Sequence, residues 1–149
     1  MKKFLTNKIF IASDHAGFEL KQFLINELPN LDIKVSDLGC NSATESFDYP
    51  DYAKKLVSEI KEESDFGILI CGSGIGISIA ANRFDHIRAA LCHNTKSAKL
   101  SRAHNNSNVI VIGARFIKSK SALAMVKAFL TTKFEDGRHR KRVEKLSQK

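Results

Sequence analysis

The stretch DFGILICGSGIGISIAANR, residues 65–83, constrains the fold of this chain more than any other. Phe66, Ile68, Leu69 and Ile70 make a short apolar run around Gly67, as in a strand buried on both faces of a parallel sheet. Gly72, Gly74 and Gly76 then space a tight loop, and residues 77–83 resume as a helix of small residues. Unpaired backbone N–H groups and a helix dipole converge where such a strand, loop and helix meet, which predicts an anion site. Cys71 stands at the last strand position, facing that site.

The same alternation runs along the whole chain. Strand one is expected within residues 4–13, most securely over 8–12, with a turn at Asp14-His15-Ala16-Gly17. A helix over 18–28 carries Leu20, Phe23, Leu24 and Leu28 on one face and is stopped by Pro29-Asn30. Strand two (33–38), a polar loop (39–48) and a helix over 52–62 lead to the glycine-loop unit. Strand four (87–92), a short helix (95–102) and strand five (108–113) follow. A helix over 119–131, with Leu123, Val126 and Leu130 inward, precedes a basic helix starting near Arg138. Without repeats or linkers, this pattern predicts one domain over residues 1–149, a Rossmann-like three-layer α/β/α fold around a five-stranded parallel sheet. Ligands of such sheets bind beyond the carboxyl ends of the strands, at a topological switch point. The expected site therefore collects Asp14, His15, Cys71 with its glycine loop, the segment after strand four, and part of the basic tail.

Composition narrows the class. No apolar run approaches the ~20 residues of a membrane span, and the amino terminus reads as a first strand and not as a signal peptide. Cys40, Cys71 and Cys92 are odd in number and at no zinc spacing, so a reduced cytoplasmic protein is expected, without disulfide framework or metal knuckle. The net charge of +8 is concentrated: residues 118–149 hold ten Lys/Arg against three acids, the rest fourteen against thirteen. No aromatic interleaving or helix-turn-helix spacing accompanies that tail. It reads as arginines aimed at a phosphorylated small molecule, with solvated lysines around them, and neither nucleic acid nor membrane is the expected partner.

The glycine loop fits no common nucleotide fingerprint. No lysine follows Gly76, as a Walker loop requires, and Ile77 stands where a dinucleotide loop has its third glycine. Cys92-His93 occupies the place of the acid that would hold a ribose hydroxyl. A small phosphosugar suits the short loop better.

Five ordered motifs carry a resemblance that covers nearly the whole chain: ASDHAGFELK (residues 12–21), DYPDYA (48–53), ICGSGIGISIAANR (70–83), SRxHNxxN (101–108) and FEDGRHRKR (134–142). Together they resemble the family of ribose-5-phosphate isomerase B and the galactose-6-phosphate and allose-6-phosphate isomerases. The resemblance implies aldose–ketose isomerisation of ribose 5-phosphate and ribulose 5-phosphate through an enediolate. It further implies no cofactor and no metal, and a homodimer, alone or paired into a tetramer, with active sites shared between subunits. The basic helix, about residues 137–149, would pack on or reach the partner.

Isomerisation needs a base, a cradle for the developing oxyanion, an acid/base for ring opening and a phosphate anchor. From the residues alone, Cys71 is balanced between an activated thiol and a small residue closing its strand; the resemblance makes it the base. Ser73 would bond the thiolate or the substrate, and the backbone N–H groups of Gly72, Ser73, Gly74, Ile75 and Gly76 would hold the enediolate. His104 matches the ring-opening group and Asn105 a hydroxyl contact. Asp14 would bind a sugar oxygen, while also serving as a helix N-cap, and His15 would help hold the phosphate. Arg138 and Arg142, spaced i and i+4, share one helix face and suit a phosphate clamp. Arg140 and Lys141 point elsewhere. Arg115 is a weaker phosphate contact from the neighbouring subunit; Tyr49 and His139 stay open between pocket and packing; His86 and His93 read as structural. The rival readings are a six-carbon phosphosugar isomerase, a metal-dependent isomerase, a non-catalytic module that binds a phosphosugar or a nucleotide, and a nucleic-acid binder.

Overall fold

A computed structural model describes residues 2–147. Five strands, β1 (Lys8–Ser13), β2 (Lys34–Asp37), β3 (Gly67–Cys71), β4 (Ala89–Leu91) and β5 (Val109–Gly113), form one parallel sheet in the order β2-β1-β3-β5-β4. Among the described residues six α-helices cover it: α1 (Phe18–Glu27), α2 (Tyr49–Val57), α3 (Ile75–Ala81), α4 (Thr95–Asn105), α5 (Ser119–Thr131) and α6 (Arg138–Lys145). The expected three layers are present. No helix among the described residues is long and apolar enough to cross a membrane.

The period of two along each strand divides the core. Ile68, Ile70, Ile110 and Ile112 pack with Leu24 and Phe129 on the side of α1 and α5, and α4 lies against α5. Leu69, Cys71, Val109 and Val111 face the other way and pack with Leu56 and Ile77 of the adjacent α2 and α3. Cys71 is therefore held in a buried face of the central strand. Phe23 and Leu123, expected inside, are only partly buried.

Several boundaries move, among them the end of α2, at Val57 where 62 was expected, and the start of α3, at Ile75 where 77 was expected; three have a local reason. α2 begins at Tyr49, not 52, because Pro50 sits in its first turn, where a missing N–H costs nothing. α1 ends at Glu27, one residue short of the expected 28, and Pro29 sits in the first turn of the 3-10 segment Leu28–Leu31 that follows. α4 runs on through Asn105; its start is fixed by a capping box between Asn94 and Ser97, and Asn106 closes it in the left-handed region at φ 48°. His104 is thus a helical residue. Of the basic tail expected over 137–149, Gln148 and Lys149 lie outside the described residues.

One buried charge braces the sheet edge. Lys21 on α1 is fully buried, and its Nζ donates to both Asp37 carboxylate oxygens at 2.9 Å. Removing Asp37 strands that ammonium, so Asp37→Ala is expected to lower the unfolding free energy by about 3 kcal/mol. Adding Lys21→Met should recover much of the loss, because the two changes share one interaction. Urea unfolding of the three variants checks this; a loss below about 1 kcal/mol in Asp37→Ala would mean that Lys21 reaches water.

Candidate active site

β1 and β3 are neighbours, so the loops at their carboxyl ends meet at the switch point of the sheet. The Asp14 N–H donates to the Ile70 carbonyl at 3.3 Å, and the Asp14 carboxylate accepts the Gly17 N–H at 3.2 Å, the expected cap. His15 accepts the Phe47 N–H on Nδ1 at 3.0 Å, which fixes its proton on Nε2 and pins the polar loop beside the site. Cys71 is 4% exposed, and its Sγ accepts the Gly74 N–H at 3.2 Å.

The glycines are required by contact. Gly74 is left-handed at φ 79°, and a Cβ there would come within 2.5 Å of Leu91 and 3.0 Å of the Gly113 nitrogen. A Cβ on Gly76 would meet the Tyr49 ring at 2.5 Å, which places Tyr49 over the start of α3. The Ser73 hydroxyl accepts the Ile75 N–H at 3.1 Å, beside the start of α3, and keeps its own O–H to donate. Two of the loop's N–H groups, those of Gly74 and Ile75, are already engaged.

The segment seated against this loop is the one after β5, not the one after β4, because β5 lies between β3 and β4. The Ala114 N–H donates to the Cys71 carbonyl at 2.9 Å and the Arg115 N–H to the Gly72 carbonyl at 3.0 Å. The Arg115 guanidinium carbon lies 2.9 Å from where a Gly72 Cβ would stand. Arg115 thus brings a cation to the loop of its own chain, where the sequence suggested the neighbouring one.

The other candidates collect at the opposite end of the sheet. α4 starts after β4 and runs back, so its last turn, with His104 and Asn105, ends just before β5 begins. The Asn106 carbonyl and the Asn108 side chain both accept from Arg88, the residue ahead of β4. α5 returns likewise: the Leu130 carbonyl accepts the Leu5 N–H, and the Ala103 carbonyl accepts the Glu135 N–H. α6 follows and packs on α4. Arg138 and Arg142 are exposed on α6, while Arg140, expected to be solvated, is paired with the Asp136 carboxylate. Asn105 is exposed and borders a hollow of about 360 Å³ beside β4. A larger hollow, about 830 Å³ around Phe4, Asn30 and Ser64, carries none of the candidate residues.

His104 is half-exposed, and its ring stacks on that of His139 with centroids 4.3 Å apart and planes 13° from parallel. Both Nε2 atoms approach one Glu135 carboxylate oxygen, at 3.7 Å from His104 and 3.6 Å from His139. Burial, then the neighbouring His104 and Arg138, pull the His139 pKa below its ordinary value. Arg102 anchors this turn from beneath. It is buried, lies 4.9 Å from the Phe66 ring and 5.7 Å from that of Phe129, and donates to the Thr132 and Ser107 carbonyls and to Asn106. Burial pushes its pKa down to about 10, which leaves it charged at neutral pH.

Within one chain the candidates form two groups, one at each end of a sheet roughly 15 Å tall by strand rise. Asp14, His15, Cys71, the glycine loop and Arg115 occupy one end; His104, Asn105, Arg138 and Arg142 occupy the other. Sequence reading missed Arg115 on its own loop, Glu135 beside His104, and the bracing role of Arg102. The SRxHN motif contained Arg102, but only the fold reveals its aromatic bed.

Comparison with known proteins agrees with this fold. The family model described as Ribose/Galactose Isomerase matches residues 9–146. Ribose-5-phosphate isomerase B of Escherichia coli is 44% identical over 141 residues, 94% of either chain. The solved ribose 5-phosphate isomerase B of Anaplasma phagocytophilum is 49% identical, with a TM-score of 0.93 over 97% of this chain and 99% of that one. That of Mycoplasma genitalium, solved with bound ribulose-5-phosphate, is 40% identical, with a TM-score of 0.90 over 95% and 94%.

Proposed function

The chain belongs to the ribose/galactose isomerase family, and on that premise we propose that it interconverts ribose 5-phosphate and ribulose 5-phosphate through an enediolate. The observation that carries this reading is the Cys71 thiol seated inside the glycine loop, which unites a proton acceptor and oxyanion donors in one turn. In the open-chain aldose the Cys71 thiolate takes the C2 proton. Negative charge then builds on the substrate oxygens, where the N–H groups of Gly72, Ser73 and Gly76 receive it, and a proton returns at C1. Asp14 binds a sugar oxygen. His15, through its free Nε2–H, joins Arg138 and Arg142 on the phosphate, with Arg115 as a further cation. His104 opens the sugar ring and Asn105 holds a hydroxyl. The five-carbon substrate is favoured by the ribulose-5-phosphate held in the Mycoplasma genitalium relative.

Because the thiol and the ring-opening histidine stand at opposite ends of one sheet, the working unit is a homodimer. The amino end of each sheet completes the carboxyl end of its partner, and two-fold symmetry then yields two equal sites. No step requires a metal or an organic cofactor.

The test is conversion of ribose 5-phosphate in the presence of a chelator. Wild-type protein is expected to make ribulose 5-phosphate at an undiminished rate, and inert protein would refute the reading. Arg138→Ala and Arg142→Ala should each raise KM about 10- to 100-fold, the loss of one charge-assisted contact, with a smaller change in kcat. An unchanged KM would remove the phosphate clamp from the mechanism.

A further inference from the structure

We propose that His104, Glu135 and His139 form a site for a borderline divalent transition metal such as Zn²⁺, and that its occupancy shuts off turnover. The second half rests on the reading of His104 as the ring-opening group. Two imidazoles and one carboxylate are a ligand set that selects this class of ion over Mg²⁺ or Ca²⁺ and leaves one coordination position open. The three donor atoms lie within 4.8 Å of one another. Ligand atoms around a tetrahedral Zn²⁺, with bonds of about 2.0–2.1 Å, stand about 3.4 Å apart. The two imidazole–carboxylate separations, 3.7 Å and 3.6 Å, are already close to that.

The site is built from three places in the chain. His104 comes from the last turn of α4, Glu135 from the segment after α5, and His139 from the first turn of α6. The Glu135 N–H on the Ala103 carbonyl fastens that segment to α4. His139 is buried and fixed, whereas Glu135 and His104 reach solvent and are free to adjust. The rings stand nearly parallel, so coordination requires the half-exposed His104 ring to turn towards the shared carboxylate. That turn removes His104 from its stack on His139. A metal on its Nε2 also occupies the lone pair through which the imidazole would exchange a proton with the sugar. Inhibition therefore follows from binding, without any further conformational change.

Titration of the purified protein with Co²⁺, read by the visible absorption of tetrahedral cobalt and then displaced by Zn²⁺, tests binding independently of catalysis. Wild type should develop the band, and Glu135→Gln and His139→Gln should each weaken binding at least about 10-fold. Glu135 is exposed, so its variant keeps the fold even where the His139 variant does not. Zn²⁺ should slow the wild-type isomerase, a chelator should restore it, and Glu135→Gln, measured against its own metal-free rate, should lose the sensitivity. No cobalt band, or one unchanged in Glu135→Gln, overturns the site. Binding without inhibition overturns the regulatory half. Binding in a protein that never turns over ribose 5-phosphate leaves the metal site standing and refutes the isomerase reading instead.

Discussion

Cys71→Ala is expected to fold like the parent, to bind ribose 5-phosphate with little change in affinity, and to isomerise it about 100- to 10,000-fold more slowly, the range covered by loss of a general base. The structural cost is small. Alanine removes a single sulfur from a buried strand end, and the Gly74 N–H loses one acceptor, together about 1 kcal/mol. The glycine loop itself does not depend on the thiol, since Gly74 and Gly113 fix it by backbone contact and the Ser73 hydroxyl holds the Ile75 N–H. The informative measurement is exchange of the substrate C2 proton with solvent, followed by NMR alongside product formation. Both should vanish together, because the enediolate is the intermediate they share. A variant that exchanges and isomerises at the parental rate would reduce Cys71 to a residue that closes its strand.

The second expectation tests the split between the two ends of the sheet. Cys71→Ala and His104→Asn homodimers should each be near background. Mixed, with subunits allowed to exchange, they should regain about one quarter of wild-type activity, because half of the dimers are mixed and each carries one intact site of two. The restored site would combine the carboxyl end of a His104→Asn chain with the amino end of a Cys71→Ala chain. An equimolar mixture that stays at background, while exchange is verified by mass spectrometry, would refute a site shared between subunits. A mixture kept from exchanging subunits should stay near background, which separates a restored site from open-chain sugar passed between homodimers.

The layers were legible in the residues alone. Buried strands announce themselves as short apolar runs, and three alternate glycines after Cys71 have few uses apart from a tight loop at a strand end. Local signals were equally legible at the Asp14 cap and in the i, i+4 spacing of Arg138 and Arg142, because capping and helical periodicity act over a few residues. Where local chemistry permits two outcomes, the reading slipped by a turn. Pro50 can precede a helix or open one, and Asn106 closes α4 only because the left-handed region is accessible to it.

What the tertiary structure decided is everything that depends on strand order. β5 inserts between β3 and β4, and this alone seats Arg115 on Gly72 and moves the segment after β4 aside. Glu135 and His139 meet His104 only after α4 and α5 have both run back down the sheet, across more than thirty residues of sequence. Lys21 and Arg102 look like surface cations until the fold gives one a carboxylate and the other a bed of two aromatic rings. The division of the candidate site between two ends of the sheet is of the same kind. Residue types fix which chemistry is available, but the distance between groups is set by long-range pairing, whose loop-closure entropy and packing no local signal records.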